Sequence, residues 1–223
     1  HLSGCGVGFK LMQAFAIVNN IDFAQLTPLL DLLALSIASD IVPITGENRI
    51  LAFFGLKQIN SNPSVGLKGI LEVCGLTDKE ITISDIVFKI GPRINASGRM
   101  KLASEAVELL VSSNPVFAKE KSDTINEYNN DRKDLDKNIT DEAIALIASD
   151  ERYATRRSIV VHKPDWHKGV IGIVASRLSE EYYKPSIVLT NSNGLASGSA
   201  RSVPGFDIYK AIDSCRDLLE TFG

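Results

Sequence analysis

NPVFAKEKSDTINEYNNDRKDLDKNITDEAIALIA, residues 114–148, is the stretch on which the fold turns. Asn114 and Pro115 supply an N-cap and a first-turn proline for one continuous helix. Its apolar residues are sparse, recurring at Ala118, Ile125, Tyr128, Leu135, Ile139, Ala143 and Leu146, with charges of both signs between them. A long helix with so narrow a stripe bridges two bodies rather than lying in one core. The pattern predicts a connecting helix over 114–150, with one domain before it (1–113) and another after it (151–223).

Before the bridge the chain reads as mainly helical. Ser3-Gly4-Cys5-Gly6-Val7-Gly8 suggests a glycine-rich turn opening a helix, with close helix packing favoured over phosphate binding because no strand precedes it. Pro28 to Asp40 is apolar on nearly every side, as in a helix buried within a domain. Further helices are predicted over 47–59 and 64–74, the latter stopped by Gly75. Ser84 reads as the N-cap of a short helix over 85–90, and another helix follows over 103–111. After the bridge the pattern changes: a β-branched run at 158–161, an amphipathic helix at 169–183, a strand at 186–190, a small-residue strand or turn at 196–201, and a final helix over 207–222. That order describes an α/β domain.

The chain has 223 residues, 44% hydrophobic and 23% charged, with a net charge of −3. Such a balance excludes a generally basic nucleic-acid coat, so any polyanion must be held by local groups. Three scattered cysteines without metal-site spacing read as reduced thiols in a cytoplasmic protein. The longest apolar run, near 29–38, is too short to span a bilayer.

Three constellations can carry chemistry. Gly91-Pro92-Arg93-Ile94-Asn95-Ala96-Ser97-Gly98-Arg99 sets two arginines among glycines and small polar residues. Glycines let backbone approach a ligand, and guanidinium forks match phosphate oxygens. The same composition also describes an interhelical turn whose arginines pair with surface acids. Gly198-Ser199-Ala200-Arg201-Ser202 repeats the recipe, although a Gly/Ser turn alone is more often a loop than a site. Asp165-Trp166-His167-Lys168-Gly169 stands at the start of a helix, where open N–H groups, positive charge and a stacking surface coincide. His167 alone reads more readily as a cap, and Trp166 as core. Asp40 ends an apolar helix, where a carboxylate would be costly to desolvate; it is a candidate metal ligand or a plain cap.

Taken in order, the motifs resemble those of the RecJ family in the DHH phosphoesterase superfamily. The resemblance rests on Ser3–Lys10, Ala38–Pro43 with Gly46–Arg49, Gly91–Arg99, Trp166–Gly172 and Gly198–Ser202, and so covers nearly the whole chain. It implies an α/β protein: the mainly helical C-terminal part of a DHH domain, a long connecting helix, then a DHHA1 domain. It further implies a 5′→3′ exonuclease acting on single-stranded DNA in repair and recombination, with the strand running between the domains and Mn2+ or Mg2+ as cofactor. Such a metal lowers the pKa of a bound water while arginines position the strand. Asp40 would match a metal-binding aspartate. Arg93, Asn95, Ser97 and Arg99 would face phosphate from the first domain, and His167, Lys168, Ser199, Arg201 and Ser202 from the second. The family's Asp-His-His motif and the end of its second domain are not in this sequence. The expectation is a piece of a longer protein, inactive alone. A related phosphoesterase for short oligonucleotides or cyclic dinucleotides, and a non-catalytic nucleic-acid-binding module, are the alternatives.

Overall fold

The Ser3 hydroxyl accepts the Gly6 N–H at 3.1 Å, so the glycine-rich opening is not a turn but the first two turns of helix α1 (Gly4–Val18). Close packing does not account for its outer glycines either: a Cβ on Gly4 or Gly8 would meet nothing within 4 Å. The computed structural model describes residues 2–40 and 42–223, and the chain falls into two units, residues 1–130 and 131–223. Ile41, within one of the recognised motifs, lies outside the described residues.

In the first unit, α2 (Leu30–Ser39) is the central helix. Leu33, Ala34, Ile37 and Ala38 are at most 2% exposed, as expected for an apolar helix packed on several sides. α3 (Gly46–Ser61) and α4 (Val65–Val73) follow, and Gly75 takes the left-handed conformation (φ +65°) that closes α4. The buried carboxylate of Asp31 accepts the N–H groups of Leu32 at 2.6 Å and Ser64 at 2.8 Å, fastening the start of α4 to α2.

Thr82, not Ser84, caps the next helix, forming a reciprocal capping box with Asp85 around α5 (Ile83–Asp85). The chain continues through a π-helical turn at Ile86–Ile90 into α6 (Gly91–Met100), so the predicted arginine loop is helix. Tertiary context overrides its glycines, because Ile90, Gly91, Ala96 and Ser97 are all buried. The wide turn also suits Pro92, whose ring would clash with the carbonyl four residues back in a regular helix interior. α7 (Ser104–Leu110) leads to α8 (Pro115–Ala148), where the Asn114 side chain accepts the N–H groups of Val116 and Phe117.

α8 runs from the first unit into the second. Its buried positions are Ala118, Ser122, Ile125, Asn129, Asp136, Ile139, Ala143 and Ile147. The predicted stripe therefore carries buried polar residues that an apolar count passes over, and Leu146 is exposed where Ile147 is buried. Helices reach backbone contact in the first unit through glycine. A Cβ on Gly66 would strike the Leu109 carbonyl, and one on Gly69 would lie 2.5 Å from Ser122 Oγ on α8.

The second unit contains α9 (Arg152–Thr155), β1 (Ile159–His162), α10 (Ile171–Tyr182), β2 (Ser186–Ser192), β3 (Leu195–Arg201) and α11 (Ile208–Asp213). β1 and β2 are parallel, with Ile159 opposite Ser186, and α10 is the crossover between them. β2 and β3 form an antiparallel hairpin through Asn193-Gly194, both at positive φ (52° and 78°), which matches the right-handed twist of the strands. The predicted final helix over 207–222 is reduced to α11 and a 3₁₀ turn at Arg216–Leu218. Leu218 is 84% exposed, and a helix this short forms only where a face can be packed. Among the described residues no helix is long and apolar enough to cross a membrane.

The glycine contacts give opposite expectations for two alanine substitutions. Gly66→Ala should destabilise the fold by about 1–3 kcal/mol through overpacking. Gly8→Ala, entering open space in a helix, should be neutral or stabilise by about 0.5–1 kcal/mol. Urea denaturation of both variants checks the sign of each.

Candidate nucleic-acid interface

Asp40 caps the C-terminus of α2 and is exposed, contrary to the expectation of a desolvated carboxylate. Its Oδ2 accepts the Ser36 hydroxyl at 3.1 Å. Beside it, a Cβ on Gly91 would lie 2.8 Å from Ser39 Oγ, so the missing side chain lets α6 start against the end of α2. The carboxylate and the first arginine motif thus share one corner of the first unit.

On α6, Arg93 donates from Nε to Asn126 Oδ1 at 2.9 Å and from Nη1 to the Lys89 carbonyl at 2.8 Å. Asn95 and Arg99, one turn apart, are exposed on a common face. Ser97 is fully buried and presents no surface to solvent. The preceding turn is held by Asp85, which accepts the Lys89 ammonium at 2.7 Å and the Thr82 hydroxyl at 2.8 Å. These bonds, Lys89 first and then Thr82, depress the Asp85 carboxyl to about 2. Burial pushes the nearby Cys74 thiol up, while the Arg93 charge pulls the other way.

In the second unit the segment before α10 is fastened at three points. Trp166 Nε1 donates to Glu142 Oε2 at 2.8 Å, Lys163 Nζ reaches the same oxygen at 2.7 Å, and the Thr190 hydroxyl donates to the Trp166 carbonyl at 2.6 Å. Trp166 is buried, so it anchors rather than stacks on a base. His167 Nδ1 accepts the Gly169 N–H at 3.2 Å, which places the proton of the neutral ring on Nε2. Lys168 is exposed.

α10 and β3 then bring two sequence-distant motifs together. A Cβ on Gly172 would lie 3.1 Å from Ser199 Oγ and 3.3 Å from Arg201 Nη2. Further along the helix, Ser176 Oγ accepts Arg201 Nε at 3.1 Å and donates to the Gly172 carbonyl at 3.2 Å. Ser179 donates to the Ser202 carbonyl, and the Ser202 hydroxyl donates to the Phe206 carbonyl at 2.5 Å, so Ser202 forms the turn after β3. The small residues Gly172, Ser176 and Ser179, at helical spacing, make a polar seam that sets Ser199 and Arg201 beside the first turns of α10. Motif and spacing alone miss Ser176 and Asn126. Both sit on helices whose pattern is one of apolar spacing, which carries no signal for a neutral oxygen aimed at an arginine.

Residues 156–223 match the DHHA1 domain family. The single-stranded-DNA-specific exonuclease RecJ of Bacillus subtilis (strain 168) is 38% identical over 225 residues, which cover 100% of this chain and 28% of that protein. RecJ of Haemophilus influenzae is 36% identical, covering 98% of this chain and 39% of its own length. Along essentially its whole length the chain is similar to RecJ proteins. The fold agrees. The crystal structure of RecJ in complex with Mn2+ from Thermus thermophilus superposes with a TM-score of 0.86 at 30% identity, covering 99% of this chain and 32% of that one. A second RecJ structure, bound to manganese, gives a TM-score of 0.83 at 29% identity and is covered over 54% of its length. This RecJ-like chain spans from about a quarter to two fifths of the curated relatives it matches.

The described residues contain no group of three or more His, Cys, Asp or Glu side chains that could hold a metal ion. Among the described residues Asp40 offers an exposed oxygen but has no partner ligand, so these residues by themselves do not fit a divalent-metal centre.

Glu142 gives the anchored segment a pH signature. Its hydrogen bonds from Lys163, then Trp166, hold the carboxyl below its ordinary 4.5. A depressed value means the bond contributes fully above about pH 4.5 and is lost as pH falls through the lower folded-state value. Trp166 is the sole tryptophan. Its emission should therefore step below pH 4.5, and Glu142→Gln should abolish that step; persistence of the step in the variant would refute the assignment.

Proposed function

We propose that the whole protein is a metal-dependent exonuclease that removes 5′ nucleotides from single-stranded DNA in repair and recombination. Residues 1–113 would be the C-terminal part of a DHH domain, 114–150 the connecting helix, and 151–223 the DHHA1 domain. The observation that carries this reading is similarity to single-stranded-DNA-specific exonucleases along essentially all of the chain, at 36–38% identity for the two relatives above. The donors that would meet phosphate support it: Arg93, Asn95 and Arg99 on α6, and His167, Lys168, Ser199 and Arg201 around the start of α10. With Nδ1 of His167 accepting the Gly169 N–H, the opposite ring nitrogen would be the one to donate to a phosphate oxygen. Ser97, buried, and Ser202, bonded within its own turn, would act by shaping these elements rather than by touching DNA.

Mn2+ or Mg2+ would be the cofactor, as in the RecJ structures that this chain resembles. Asp40 would give it one oxygen, oriented by Ser36, with the other ligands supplied from elsewhere in a RecJ-length protein.

The test is release of mononucleotides from a 5′-phosphorylated single strand by the full-length protein in Mn2+. Attack from the 3′ end, or a preference for duplex or dinucleotide substrates, would sink the proposal. The 223-residue chain assayed alone should release no nucleotide above background, because it lacks a complete ligand group among its described residues.

A further inference from the structure

Arg93 and Arg201 lie in different units and on different elements, yet each is tethered in the same way. In both, Nε donates to a neutral side-chain oxygen: Asn126 Oδ1 at 2.9 Å for Arg93, Ser176 Oγ at 3.1 Å for Arg201. In both, Nη1 donates to a main-chain carbonyl at 2.8 Å, of Lys89 and of Ala200 respectively. A guanidinium has five N–H groups in a rigid plane. Bonds from Nε and Nη1 fix the plane at two points and leave three of the five N–H groups, one on Nη1 and two on Nη2, as donors for phosphate oxygens.

The tethers are as notable for their charge as for their geometry. Arg177 gives its Nε and Nη2 to Asp136, Arg152 pairs with Asp150, and Arg216 pairs with Asp213, so in each the positive charge is met by a carboxylate. Among the described residues neither Arg93 nor Arg201 forms an ion pair. The carboxylate nearest Arg93 along the chain, Asp85, is held by Lys89 at 2.7 Å. At Ser176 the hydroxyl spends its single proton on the Gly172 carbonyl and meets Arg201 with a lone pair, so the oxygen can only accept there. A neutral acceptor orients a cation without cancelling it.

Resting on the single-strand-binding reading above, we propose that Asn126 and Ser176 are positioning residues that hold Arg93 and Arg201 pre-aimed and uncompensated for backbone phosphates. Neither residue touches DNA. Their effect is exerted through the arginines, and it depends on their being neutral.

The experiment measures binding of a fluorescent oligothymidylate to the full-length protein in EDTA, which stops cleavage, over a range of salt concentrations. Asn126→Asp keeps the shape of the tether and adds the missing negative charge. It should weaken binding by about tenfold and lower the salt slope by about one, as for loss of one phosphate contact. In an Arg93→Ala background the same change should have no further effect. Ser176→Ala should weaken binding severalfold, and Ser176→Thr, which retains the hydroxyl, should restore it. Melting temperatures taken alongside separate loss of fold from loss of aim. If Arg93→Ala and Arg201→Ala leave affinity and slope unchanged, the arginines are not phosphate ligands, and the functional reading fails together with the proposal. If those two variants weaken binding but Asn126→Asp and Ser176→Ala leave it intact, only the positioning role is overturned.

Discussion

The second unit depends on one ion pair. Asp136, buried in the stripe of α8, receives both Nε and Nη2 of Arg177 at 2.9 and 2.8 Å. Arg177 is itself 55% exposed, so removing it would cost less than the ~3–5 kcal/mol of a fully buried pair, but would leave the buried carboxylate without its cation. The pair also sets how α10 is rotated. Successive helix residues are about 100° apart, so with Arg177 turned to α8, Ser176 is turned to β3. Everything at the seam follows: Gly172 against Ser199 and Arg201, Ser176 under the Arg201 guanidinium, and Ser179 on the turn after the strand.

The first unit reaches a similar result through shape instead of charge. α2 is wrapped on several sides, and its neighbours approach where a side chain is missing, as Gly91 does against Ser39. That contact puts the start of α6 next to Asp40. Asp31, near the other end of the same helix, uses its buried carboxylate on two backbone N–H groups and so belongs to the scaffold. Two aspartates of one helix region are divided by environment: the buried one is committed to structure, and the exposed one keeps its carboxylate open to solvent.

Much of the architecture can be read from residue patterns alone. The connecting helix, the buried α2, the glycine stop after α4 and the strand–helix–strand order of the second unit follow from periodicity and caps, which are local signals. The misreadings share a cause. Gly91–Arg99 and Gly4–Gly8 look like loops because glycine has low helix propensity, but buried neighbours in one case and the Ser3 cap in the other hold them helical. The Asp207 helix ends early because no packed face sustains it. At the candidate site the arginines are legible as arginines. What holds them is not, because a hydrogen bond between Arg93 and Asn126, or Arg201 and Ser176, is a fact of tertiary geometry with no spacing rule behind it.

The π-helical turn at Ile86–Ile90 decides how the setting of Arg93 is written into the gene. There the Gly91 N–H reaches back to the Ile86 carbonyl, one residue further than α-helical winding would take it. Were the same residues wound as a regular helix, everything after them would swing round by about one residue's rotation, roughly 100°. Arg93 would then turn away from Asn126 and Gly91 from Ser39, with every side chain still present. The direction in which the guanidinium points is thus stored partly as a count of residues, so a single-codon insertion or deletion within this helix can part Arg93 from Asn126 as fully as replacing the arginine.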